Sequence, residues 1–160
     1  LPKKSQNYQL KVLSQTENLE LVREFVSKIA QKVGLGETDI NKIELAVDEA
    51  CANVVKHAYD PATIIRPLHV AIEVDYQKLT VIVTDQGKGF DLSKIRPIEM
   101  NQYLAEMKIG GLGIHLIKSL MDEVEFEINP GKKNQVRMVK YFFGKNGEII
   151  NESSLKRLDS

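Results

Sequence analysis

Two runs in the middle of the chain, 68–76 and 79–84, alternate apolar and polar residues with only Gln77 and Lys78 between them. A period of two is the pattern of a half-buried strand, and so short a gap joins antiparallel neighbours, so these residues are expected to form a β-hairpin. Residues 8–13 alternate in the same way, and Ser14-Gln15-Thr16-Glu17 reads as a capping box that opens a helix. That helix is expected to reach Val33, because Leu19, Val22, Phe25, Val26 and Ile29 recur at helical spacing and Gly34 follows where a left-handed cap is wanted. A second helix is expected from about Thr38, with Ile40, Ile43, Val47, Ala50 and Val54 down one face. It should stop near Tyr59-Asp60-Pro61, since proline disfavours helical geometry in the residue before it.

Beyond the hairpin the pattern changes. Residues 85–113 hold five glycines around a weakly periodic stretch, 93–108, which reads as a long connection with some helical content, of the kind that often serves as a lid. Ile114, Ile117, Leu120 and Met121 then mark a short helix, 124–128 a strand, 129–134 a glycine-containing turn and 135–143 a last strand. The order β-α-α-β-β-loop-α-β-β segregates helices from strands. The fold class expected is therefore α+β, a two-layer sandwich with a mixed, mostly antiparallel sheet and about three helices on one face. A length of 160 residues with 42% apolar side chains suits one core, here expected over 1–143, with 144–160 a polar extension.

Composition narrows the function classes. The 22 basic and 22 acidic side chains cancel, which leaves no one-sided field for nucleic acid or an anionic membrane. The single cysteine, Cys51, lies in Ala50-Cys51-Ala52 and reads as a packed thiol, consistent with a reducing compartment. No apolar run approaches the ~20 residues of a membrane span, and residues 1–5 lack the apolar stretch of a secretory signal, so a cytoplasmic location is expected.

Three constellations can carry chemistry. Glu49 and Asn53 stand one helical turn apart, and at about 100° per residue they share a face roughly 120° from the apolar stripe. An amide oxygen suits magnesium and a nearby carboxylate can accept a proton, although the same spacing also fits two solvated residues. Asp85-Gln86-Gly87-Lys88-Gly89 follows the second hairpin strand. A carboxylate fixed at a strand end can accept a hydrogen bond from an exocyclic amine such as that of adenine, and glycines admit a flat ring; an ordinary turn is the alternative. Gly110-Gly111-Leu112-Gly113 opens the third helix and would present bare N–H groups to phosphate, or else act as a hinge. It lacks the ending of a Walker loop. His57, Lys56 and Lys108 are weaker phosphate-side candidates, and His57, His69 and His115 are too scattered to define a zinc site.

The order of these elements, an acidic residue and asparagine on a helix, then Asp-x-Gly-x-Gly after a strand, then Gly-Gly-x-Gly before a helix, resembles the GHKL or Bergerat-fold ATPase superfamily. The resemblance covers about 40–142. Within it, the chain length and the run 110–123 look most like the stand-alone anti-sigma-factor serine/threonine kinases of the RsbW type. It implies ATP and Mg2+ as cofactors, with Asn53 holding the metal, Glu49 acting as general base toward a protein hydroxyl and Asp85 binding the adenine amine. Gly87 and Gly89 would line the base, and Gly110, Gly111, Leu112 and Gly113 the phosphates, under a lid at 92–109. The resemblance also implies as partners an anti-anti-sigma (STAS) protein and a sigma factor, and a homodimer. Partner contact in the family involves an arginine on the first helix, for which Arg23 and Leu21 both compete here. Asn134-Gln135 replaces the Gly-Thr common in the superfamily and puts one phosphate-side contact in question. The rival readings are an ATP-binding interaction module that transfers no phosphate, and a detached catalytic domain of a sensor histidine kinase.

Overall fold

A computed structural model describes residues 5–89 and 113–142. The expected lid at 92–109, Lys108, Gly110, Gly111, Leu112 and the extension 144–160 lie outside the described residues. Among the described residues, five strands form one sheet in the order β1-β2-β3-β5-β4. The strands are β1 (Gln6–Leu13), β2 (Pro67–Val74), β3 (Lys78–Asp85), β4 (Glu123–Glu127) and β5 (Asn134–Tyr141), and the helices are α1 (Leu19–Lys32), α2 (Glu37–Asn53) and α3 (Gly113–Leu120). The 67–85 hairpin forms as its alternation predicts, with Leu68, Val70, Ile72 and Val74 of β2 buried and the residues between them partly exposed.

The four strand pairings among the described residues are all antiparallel, so these strands do not form the mixed sheet expected. The reason is topological. The connection through α3 carries the chain back so that β4 runs in the same direction as β3, but β5 turns between them and separates the two parallel strands. The three helices share one core with the inward residues of the strands. Val22, Val26 and Ala30 of α1, Ile43, Val47 and Ala50 of α2 and Ile117 of α3 join Val81, Val83, Val136 and Met138 in a single cluster. One face of the sheet is thereby covered.

The helix ends follow local chemistry, with one departure. Gly34 takes φ +86°, and the amides of Gly34 and Leu35 return to Gln31 O and Ala30 O at 3.0 and 3.1 Å, the two bonds of a Schellman cap. The expected capping box at the other end of that helix does not form. Ser14 instead follows β1, its amide donating to Arg66 O at 2.7 Å, and its hydroxyl is buried with no partner among the described residues. A 3₁₀ turn at Thr16–Asn18 precedes α1, tied back by Asn18 Nδ2 to Leu13 O at 2.8 Å. At its C-terminal end α2 widens into a π turn, Val54–Ala58, before Tyr59 leaves the helix in an extended conformation. At the opposite end of the sandwich Lys140 is almost fully buried. Its ammonium donates to Leu120 O at 3.0 Å and lies 3.7 Å from Asp122 and 4.0 Å from Asp39, joining β5 to the ends of α2 and α3.

Candidate functional site

Strand alternation decides what points into the space beneath the helices. On β3 the inward row is Leu79, Val81, Val83 and then Asp85; on β5 it is Asn134, Val136 and Met138. The two rows are in register, so Asp85 faces Asn134 across the strands just beyond the apolar core. A cavity of about 340 Å³ opens there. Its walls are largely apolar, from Val54, Val83, Ile114, Ile117, Phe126 and Ile128, and the polar side chains that join them are Asp85 and Asn134, hydrogen-bonded to each other, with Asn53, His57 and Gln135. A largely apolar cleft with few convergent polar groups is the usual form of a small-molecule site.

Asp85 is 9% exposed. Its Oδ1 accepts hydrogen bonds from the Gly87 amide at 2.8 Å and from Asn134 Nδ2 at 3.0 Å. The turn after it is held from two sides. Gln86 donates to the Tyr59 hydroxyl at 2.9 Å, that hydroxyl donates to Pro67 O at 2.5 Å, and the Lys88 amide donates to Ala58 O at 2.7 Å. Burial pushes the Tyr59 phenol above its ordinary pKa, which keeps it the neutral donor this arrangement needs. From the sheet side, Asn134 Nδ2 and the Gly131 amide both donate to Gly87 O at 2.8 Å.

The two glycines of this turn do different work. A β-carbon on Gly87 would stand 2.0 Å from Ala58 O, so its bare backbone serves the close approach to the π turn, and it is not among the described residues lining the cavity. Gly89 does line it, at φ +69°, with the space for a β-carbon taken by Ile128 and by Asn134 Oδ1. Of the pair expected to flank a base, Gly89 lines the cavity and Gly87 does not.

The remaining candidates converge at the start of α3. Glu49 and Asn53 project from the same side of α2 toward Gly113. A β-carbon there would meet Glu49 Oε2 at 2.9 Å and Asn53 Nδ2 and Oδ1 at 3.0 and 3.3 Å. The helical arithmetic for these two residues therefore holds, and they face α3, half-buried, at the rim of the cleft. A positive helix end beside an amide and a carboxylate gives oxygen donors and N–H groups at one spot. These donors fit magnesium, which takes few protein oxygens and keeps several waters. His57 lines the same cavity, Lys56 does not, and His69 lies away from it on β2. Arg23 pairs with Asp48 at 2.9 Å on the outer side of α2, next in sequence to Glu49, while Leu21 is 46% exposed.

Asn134 is the site residue that the sequence does not single out. The pair Asn134-Gln135 stands there only as a departure from Gly-Thr that puts one phosphate-side contact in question, whereas Asn134 lies against Asp85, 2% exposed. The signal for it was its position two residues before Val136, in line with the inward row of a strand.

Residues 12–140 match the family model described as the histidine kinase-like ATPase domain. The chain is 38% identical to the serine-protein kinase RsbW of Halalkalibacterium halodurans over 127 residues, 77% of this chain and 76% of that one. It is 33% identical to the RsbW of Staphylococcus aureus over 142 residues, 81% of this chain and 89% of that one. The RsbW of Bacillus velezensis is 33% identical over 150 residues, 91% and 90% of the two chains. Among solved structures, the RsbU and RsbW domains of a Mycobacterium tuberculosis protein superpose with a TM-score of 0.61 at 14% identity, over 84% of this chain and 31% of that longer one. A histidine kinase domain from Erythrobacter litoralis superposes with a TM-score of 0.53 at 18% identity, over 78% and 63% of the two chains. The fold is common to both.

Proposed function

Since this chain belongs to the histidine kinase-like ATPase family, among the RsbW serine-protein kinases, we propose that it transfers the γ-phosphoryl group of ATP to a serine or threonine hydroxyl of a protein partner. The acceptor is an anti-anti-sigma protein of the STAS type, and in its other partner state the chain holds a sigma factor. The observation that carries this reading is a largely apolar cleft lined by both the Asp85 carboxylate and Asn53, with Glu49 and Asn53 meeting at the start of α3. An apolar cavity with a fixed carboxylate and a helix start suits a flat base joined to a charged tail.

Each group then has a defined task. Asp85 accepts the hydrogen bond of the adenine amine, with the Gly89 backbone lining the same cavity. Val54, Val83, Ile117 and Phe126 exclude water from the base. Asn53 would hold Mg2+, which neutralises phosphate charge when bound. The start of α3 at Gly113, with Gly110, Gly111 and Leu112 before it, offers its amides to the phosphates. Glu49 takes the proton of the incoming hydroxyl; its carboxylate is held on α2 within one helical turn of Asn53.

The test is a Glu49→Gln variant assayed both for ATP affinity and for phosphoryl transfer to a STAS-domain acceptor. The variant is expected to keep its ATP affinity and to lose transfer by about 10²- to 10⁴-fold, the usual contribution of a general base. Transfer at the wild-type rate removes Glu49 from the mechanism. ATP binding with no transfer in the wild type makes the chain a nucleotide-dependent interaction module.

A further inference from the structure

Building on the adenine-binding role of Asp85 proposed above, we infer that Asn134 is the positioning residue that makes that carboxylate selective for a 6-amino purine. Asp85 and Asn134 are direct partners across β3 and β5, and both are withdrawn from solvent. The amide of Asn134 is fully committed. One N–H goes to Asp85 Oδ1 at 3.0 Å, the other to Gly87 O at 2.8 Å, and its oxygen accepts the Asn129 amide at 3.0 Å. The reversed amide would set its oxygen against the Gly87 carbonyl and the Asp85 carboxylate while pointing N–H at N–H, so this orientation is the one the surroundings enforce.

The consequence falls on Asp85. Its Oδ1 is engaged twice, by Asn134 and by the Gly87 amide, while among the described residues no donor engages Oδ2. A carboxylate with one oxygen fixed in this way cannot swing about its terminal torsion. Oδ2 is left as an acceptor of set direction at the cavity wall. A purine bearing an amine at C6 meets it with a donor, whereas a 6-oxo purine would oppose oxygen to oxygen. Asn134 has no N–H left for the base, so it acts through Asp85. The same side chain fixes the 129–133 turn, whose Gly131 amide shares the Gly87 carbonyl with it.

The experiment is calorimetric titration of the full 160-residue chain, with magnesium, against ATP and against purine riboside triphosphate, which lacks the 6-amino group. Wild type, Asp85→Asn and Asn134→Leu are compared, the leucine filling the amide's volume without its donors. Asn134→Ala is the substitute if the leucine variant does not fold, and thermal unfolding is followed for each. We expect Asn134→Leu to lower ATP affinity about tenfold and leave the analogue's affinity nearly unchanged, so that the preference for ATP shrinks by about the same factor. An equal loss toward both nucleotides, or an unchanged preference, overturns the inference and leaves Asn134 a support of the turn. If Asp85→Asn also leaves the preference intact, the adenine assignment of Asp85 falls with it; if only the Asn134 variants do, that assignment stands and the positioning role alone is lost.

Discussion

Cys51 occupies a core position on α2, 1% exposed and two residues from Asn53. Burial, with a smaller contribution from the Asp48 charge, pushes its thiol up from 9.0 to about 12. A raised pKa means that the native state holds the proton more tightly than the unfolded chain. The associated stability is complete below about pH 9 and is lost progressively as pH rises from there toward 12. Between pH 9 and pH 10 this group alone should lower the unfolding free energy by about 1 kcal/mol. Other groups titrate in that range, so the measurement is the difference in urea unfolding between wild type and Cys51→Ala at the two pH values; no difference would mean that the thiol ionises freely in the native state. At neutral pH the same burial should make labelling by a thiol reagent follow global unfolding. Single residues were unevenly legible. The placement of Glu49 and Asn53 on one side of α2, and of Asp85 at the end of β3, could be read from spacing because each lies on a regular element whose geometry is known before the fold is. Asn134 could not be placed, because its role depends on the register between β3 and β5, which no local pattern states.

At the scale of elements, the turn after β3 and the turn between β4 and β5 form one unit that closes the cleft at Asp85. Their glycines should fail for different reasons. Gly87 sits where a β-carbon would stand 2.0 Å from backbone oxygen, with no flexible neighbour to give way, so Gly87→Ala should cost about 2–3 kcal/mol and shift the turn that carries Asp85. Gly131 has φ +75° and open space around it, so Gly131→Ala should cost only about 1–2 kcal/mol for the left-handed conformation. Urea denaturation and ATP titration of both variants test this. Equal losses of stability with unimpaired binding would show that the Ala58 contact does not govern the turn. The long amphipathic helices and the hairpin were readable because a period of 3.6 or 2 over eight or more residues leaves little choice. The start of α1 was misread because the hydroxyl of Ser14 was drawn under the chain by a strand bond to Arg66, a contact from about fifty residues away that overrides a local cap. The π turn at Val54–Ala58 was equally invisible, yet it delivers Ala58 O to Lys88 and His57 to the cavity.

For the molecule as a whole, the cleft lies between the sheet and two of its helices, so a ligand that fills it touches β3, β5, α2 and α3 together. Such a ligand binds only the folded chain and must raise its stability by mass action, by about 2.7 kcal/mol at a hundred times its Kd. For a chain of this size that is about 5–10 °C in Tm. We expect ATP with magnesium to raise Tm in this way, with a shift that grows with the logarithm of ligand concentration, and chelation of the metal to remove most of it. Asn53→Ala locates the metal's part. Asn53 is half-buried at the rim and outside the apolar cluster, so the variant should unfold within a few degrees of wild type when free, since substitutions away from packed features usually cost little. With ATP it should then show only the smaller, metal-independent shift. A full magnesium-dependent shift in Asn53→Ala would place the metal on other donors. A low Tm of the free variant would instead make Asn53 a structural link between α2 and the start of α3, where its amide meets Gly113.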